Sequence, residues 1–129
     1  MYFLTNTNQY LQVATNEAVA LAYTALDVTC VYVVNSQNRD VSSGPLSQTG
    51  YLDNTFREIL PAPHGAGVQH SIKSINIVNI DSIAHILTFR IVDTGNARKL
   101  YKCTLEIGYT FEYTPENGFN IYNEKGIRQ

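Results

Sequence analysis

Between residues 101 and 113 the chain alternates apolar and polar side chains almost without fault. Tyr101, Cys103, Leu105, Ile107, Tyr109, Phe111 and Tyr113 fall on one side, and Lys102, Thr104, Glu106, Gly108, Thr110 and Glu112 on the other. Successive side chains of a strand point to opposite faces, so a period of two gathers the apolar residues on one face that must be buried. A helix would scatter the same residues around its circumference. The stretch therefore predicts one long strand, in a chain that invests its apolar residues in pleated sheet.

The rest of the sequence extends this pattern. Residues 71–80 predict a strand with Ile75, Ile77 and Asn79 facing one way. Residues 83–93 predict another, with His85, Leu87, Phe89 and Ile91 opposite Thr88, Arg90 and Val92. Asp93-Thr94-Gly95-Asn96 and Pro115-Glu116-Asn117-Gly118 are hairpin signals, because Gly and Asn accept a positive φ. The second leads into a strand at 119–122. Upstream, Val31, Tyr32, Val33 and Val34 mark 28–35 as a strand buried on both faces. Residues 16–27 are rich in Ala, yet Val19, Leu21 and Tyr23 alternate with Ala20, Ala22 and Thr24, which predicts strand rather than helix. Short strands are expected at 10–14 and 55–60. The second is stopped by Pro61-Ala62-Pro63-His64-Gly65-Ala66-Gly67. Ser42-Ser43-Gly44-Pro45 and Thr49-Gly50 mark 41–54 as a loop. The polar opening Thr5-Asn6-Thr7-Asn8-Gln9 makes residues 1–9 either an arm that orders on a partner or a plain first strand with its turn. Strand spacing of this kind predicts an all-β fold: an antiparallel β-sandwich, jelly-roll-like, with about eight strands and little or no helix. A chain of 129 residues is expected to form one domain, 1–129, since single domains run to about 100–200 residues.

Composition narrows the function classes. Only 16% of residues are charged and the net charge is −2, so the basic footprint that drives nucleic-acid binding by counterion release is missing. Asn, Gln, Ser and Thr take the polar positions instead. Neutral amides lose less on desolvation than charges do, which suits faces buried against neighbouring subunits. Nine Tyr, five Phe and no Trp fit half-buried strands and contact surfaces. Met1-Tyr2-Phe3-Leu4 lacks the cationic start and apolar run of a signal peptide. No apolar stretch nears the ~20 residues of a membrane helix. A soluble protein made in the cytoplasm is the expectation.

The residues that could carry chemistry form no recognisable set. Cys30 and Cys103 are expected to be buried apolar thiols within strands. A disulfide between them is the alternative and would imply an oxidising compartment. His64 and His70 flank the Gly-rich loop, where exposed loop histidines are expected, and their spacing matches no zinc pattern. His85 lies in a strand and is expected to be partly buried or at an edge. No Gly-x-Ser-x-Gly elbow and no phosphate loop is present. Glu106 and Glu112 share a strand face but stand roughly 20 Å apart at the strand rise, too far for one glycosidic bond. The sequence therefore predicts no catalytic, cofactor or metal residues and no enzymatic activity. Tyr and Asn leave glycan binding as a rival reading.

A resemblance carries the reading further. Phe3-Leu4-Thr5 and Leu11-Gln12-Val13 open the chain, Leu60-Pro61-Ala62-Pro63 forms a joint, and Ile72 and Ile75-Asn76-Ile77-Val78-Asn79 follow. The end runs through Leu105-Glu106-Ile107-Gly108-Tyr109-Thr110-Phe111-Glu112-Tyr113 and Asn117-Gly118-Phe119-Asn120-Ile121-Tyr122. In this pattern the chain resembles a family of small virion proteins of tailed bacteriophages, with Phe119 where that family often has Trp. The resemblance implies a structural component of the particle. The first role it implies is a capsid decoration (cement) protein bound to major capsid protein; the alternative is a tail- or fibre-associated subunit. It implies a homo-oligomer located in the virion and made in the bacterial cytoplasm, with contacts through the N-terminal arm and the 42–54 loop. It brings no catalytic residues, no nucleic-acid partner and no membrane.

Overall fold

A computed structural model describes residues 3–4, 7–21, 25–36, 43–65 and 67–129. The fold is an antiparallel β-sandwich. Among the described residues all regular structure is strand: β1 Phe3–Leu4, β2 Gln9–Thr15, β3 Leu26–Ser36, β4 Ser43–Tyr51, β5 Arg57–Leu60, β6 Val68–Asn79, β7 His85–Asp93, β8 Asn96–Leu105, β9 Thr110–Thr114 and β10 Gly118–Tyr122. One sheet runs β10-β9-β6-β3-β4, with β1 sharing the β9 side of β6; the other runs β5-β2-β7-β8. Hairpins join β3 to β4, β7 to β8 and β9 to β10. The other connections cross between sheets. That order, with its three in-sheet hairpins, is what defines the topology; it carries no jelly-roll assignment.

The two sheets meet through alternate strand positions, and 28–35 is not buried on both faces as expected, because Val28 and Cys30 are buried while Val31 and Val33 on the other face are only half-buried. Leu26, Val28, Cys30, Ile75, Ile77, Phe111 and Tyr113 come from the larger sheet, and Leu11, Val13, Leu87, Phe89 and Leu105 from the smaller. Aromatic rings clasp the layers. Phe89 packs against Phe111 with ring centroids 4.8 Å apart. Tyr101 stacks on Phe119 at 4.2 Å with 8° between the planes. Fully burying a large apolar side chain stabilises by about 1.5–3 kcal/mol, so this clasp is a main source of cohesion between the sheets.

Several expectations are corrected. The run 101–113 is not one strand. β8 ends at Leu105, the chain turns through Glu106–Tyr109 closed by Tyr109 N–H donating to Glu106 C=O at 3.0 Å, and β9 continues in the opposite sheet. Gly108 takes φ 81° there, a conformation that L side chains resist, and Ile107 is 52% exposed. Residues 41–54 are not a loop, since β4 pairs with β3 from Asp27↔Tyr51 to Val34↔Ser43. Residues 16–21 are not strand; they bend from β2 toward β3, and Tyr23 lies outside the described residues. In β7 the inward phase fails after Phe89: Ile91 is half-buried and Val92 buried. The register shifts there because Leu100 is an extra residue in β8 between the partners of Phe89 and Arg90, a bulge that rotates the following side chains. Within 1–9, Phe3 pairs with Ser71 and Leu4 with His70, and Leu4 is buried in the core.

Candidate functional site

The densest polar chemistry lies at one end of the sandwich, where three cross-sheet connections meet. Asn79 closes β6 in the apolar phase and is wholly buried. Its main chain exchanges hydrogen bonds with the β8–β9 turn, Asn79 N–H to Tyr109 C=O at 3.0 Å and Gly108 N–H to Asn79 C=O at 2.8 Å. Its side-chain amide donates to Leu105 C=O at 2.9 Å and Ile83 C=O at 3.1 Å, and its Oδ1 accepts from Asp81 N–H.

Asp81 is the hub. Oδ1 accepts from Leu21 N–H at 2.8 Å and Ser82 N–H at 2.9 Å, while Oδ2 accepts from Ala20 N–H at 2.8 Å and from His85 Nε2 at 2.6 Å. Burial alone would raise this carboxyl's pKa, but the amides of Ala20, Leu21 and Ser82 and the His85 imidazole hold it far below the ordinary carboxylate range. All four lone-pair positions of the carboxylate are taken, and neither side chain of the pair is exposed. His85 Nδ1 has no partner among the described residues. The pair thus fastens the 16–21 segment to the β6–β7 turn; it offers no open acceptor to a substrate.

The remaining candidates do not converge. His70 is not a loop residue: it lies in β6, buried, with Nδ1–H donating to Pro61 C=O at 2.8 Å and its ring 5.0 Å from that of Tyr32. Burial lowers its pKa, the Pro61 bond offsets part of that, and nearby His64 lowers it further. His64 is exposed. His85 is fully buried rather than at an edge. Cys30 is buried and Cys103 half-buried, and both are free thiols. Burial pushes Cys30 up to about 12 and Cys103 up to about 11, which disfavours the nucleophilic thiolate. Glu106 lies in the β8–β9 turn and Glu112 on β9, so they do not share a strand. Among the described residues no three His, Cys, Asp or Glu side chains group as a metal site, and no helix is long and apolar enough to cross a membrane.

What the sequence does not reveal is the treatment of the sheet edges. β10 is covered by the chain's own tail: Tyr122 bridges Arg128, Gln129 N–H donates to Ile121 C=O at 2.8 Å, and Asn123 N–H donates to Ile127 C=O at 2.9 Å. β8 carries Arg98, Lys99 and Lys102, all exposed, a charged edge that repels its own kind. β5 is four residues long and holds Arg57 and Glu58. β4 differs. Its nine residues include no charge, and it is the last strand of its sheet. Beside it an open pocket of about 310 Å³ lies between β4 and β5, with Val28, Leu52 and Ile59 at its base and Thr49, Gly50, Tyr51, Arg57 and Glu58 around it. Nothing stands within 4 Å of where a Gly50 side chain would begin.

Comparison of the chain with protein-family models, curated proteins and solved structures returns no match.

Proposed function

We propose that this chain is a non-catalytic structural subunit of a tailed-bacteriophage particle, acting as a capsid decoration protein that binds assembled major capsid protein and joins adjacent capsomers. The observation that carries the assembly part of this reading is the unequal guarding of the edges: tail, cations and shortness guard three, while the neutral β4, beside an apolar-based pocket, ends its sheet among the described residues. Edge strands left without charges invite pairing, and repeated weak contacts on a symmetric shell add up through avidity. The viral part is supported by the resemblance in Leu60-Pro61-Ala62-Pro63, in Ile75-Asn76-Ile77-Val78-Asn79 and in the run from Leu105 to Tyr122.

The test mixes purified protein with expanded heads that lack decoration, then sediments them. Saturable co-sedimentation is the expected result. Protein left wholly in the supernatant removes the decoration role. Imaging of labelled particles then separates head from tail attachment.

A further inference from the structure

We infer that the outer face of the β7–β8 hairpin binds an extended acidic polypeptide segment, whose carboxylates meet Lys99, Lys102 and Arg90. The face lies on the smaller sheet, away from β4, and its ligand does not depend on the chain belonging to a virus particle.

Charge chooses the ligand. β7 and β8 hold Arg90, Arg98, Lys99 and Lys102 against one acid, Asp93, which sits at the hairpin tip bonded to Gln9 and Thr94. Arg90 stands directly opposite Lys99, on the face turned away from the buried Phe89. Like charges placed this way destabilise a sheet. Among the described residues no ion pair relieves Arg90, Lys99 or Lys102. Guarding the edge accounts for cations on β8 but not for Arg90 on β7, which has a strand on either side. A bound acidic chain accounts for all three.

Geometry chooses its form. Arg90 Nε–H donates to Gln12 Oε1 at 2.8 Å, and its guanidinium carbon stands 3.5 Å from the centre of the Phe56 ring. Gln12 lies on β2, so the Arg90 head is drawn away from Lys99, and the charges spread across the sheet instead of closing on one ion. Lys99 and Lys102 pair with Arg90 and Thr88, which are two positions apart, or roughly 7 Å at the strand rise. That is the spacing of alternate side chains on an extended peptide. Arg90 covers Phe56, and the hairpin's own rings, Phe89 and Tyr101, pack toward the core, so the face lacks the open rings on which nucleobases stack. The bulge at Leu100 spoils β8 as a template for a ladder, so contact runs through side chains.

The test is fluorescence anisotropy on the full chain with a labelled peptide of alternating Glu and Thr, beside its Gln and Thr counterpart. Saturable binding of the Glu peptide is expected, weakening as salt screens the charges, with no binding of the Gln peptide. Lys99→Gln/Lys102→Gln is expected to bind about tenfold more weakly and, freed of like-charge repulsion, to keep an unfolding midpoint no lower than wild type. Lys99→Arg/Lys102→Arg is expected to keep the affinity. Lys73→Gln/Lys125→Gln, at exposed cations outside the smaller sheet, is expected to bind as wild type. The inference is overturned by the absence of saturable Glu-peptide binding, by a Lys99→Gln/Lys102→Gln variant that binds as wild type, or by a single-stranded oligonucleotide or heparin of equal charge that binds more tightly than the peptide.

Discussion

His85 Nε2 lies 2.6 Å from Asp81 Oδ2, with neither side chain reached by solvent. That contact is one of four that fill the Asp81 carboxylate, and two of the others come from main-chain amides at Ala20 and Leu21, some sixty residues away in sequence. Replacing Asp81 by Asn turns one acceptor into a donor facing donors and strands His85. Breaking a buried pair from one side costs about 3–5 kcal/mol, a large part of the usual total of about 5–15 kcal/mol. Urea unfolding at neutral pH is expected to show Asp81→Asn destabilised by that amount. A loss near zero would mean that the hub does not fasten the connections.

The same contact sets an acid limit. The Asp81 carboxyl titrates lower in the fold than in the unfolded chain, where it lies near 3.8. Its stabilisation is therefore complete above the ordinary carboxylate range and is withdrawn as pH falls through that range toward the folded value. Wild-type stability is expected to drop more steeply than that of Asp81→Asn between about pH 5 and pH 2. Other carboxylates, such as Asp53 lowered by its exposed bond to Arg57, are common to both proteins and cancel in the difference. Parallel slopes would contradict the assignment.

Tyr101 and Phe119 belong to opposite sheets, so their stack is expected to couple the layers. A double-mutant cycle with Tyr101→Leu and Phe119→Leu should return a coupling of about 0.5–1.5 kcal/mol, the worth of an aromatic pair beyond its area. Additive losses would mean that the rings contribute by burial alone.

Gly108 holds φ 81° where the chain passes from β8 to β9, and a side chain there would start 3.4 Å from Glu124 Cβ. Gly108→Ala is expected to cost about 1–2 kcal/mol from backbone handedness, with any crowding added. Thermal unfolding checks this, and an unchanged midpoint would contradict it.

The sheet character was legible residue by residue. Ile75, Ile77 and Phe111 face inward as their spacing requires, and the Thr94-Gly95 and Asn117-Gly118 turns fall where Gly and Asn announce them. The crossing at Gly108 was hidden by parity. Leu105 and Phe111 are six positions apart and both face the core, as they would in an unbroken strand. β4 was illegible because Gly44, Pro45 and Gly50 speak for a loop, while pairing with β3 imposes extension; context overrides propensity in sheets. The buried hub left one trace, polar Asn79 and His85 standing in the apolar phase. Its other half comes from main-chain amides, which no side chain betrays. The edges escape sequence reading because a strand's position in its sheet is a long-range fact.

The assembly reading turns on β4, the uncharged strand that ends its sheet among the described residues. Amide hydrogen exchange, measured for the chain alone and for the chain mixed with undecorated heads, tests it most directly. The expected result is that binding raises protection in β4, at the alternate amides of residues 46–50 that point away from β3, while β8 and β10 stay unchanged. Exchange at β4 that is indifferent to the heads, or a rise in protection at β8 or β10 instead, would contradict it.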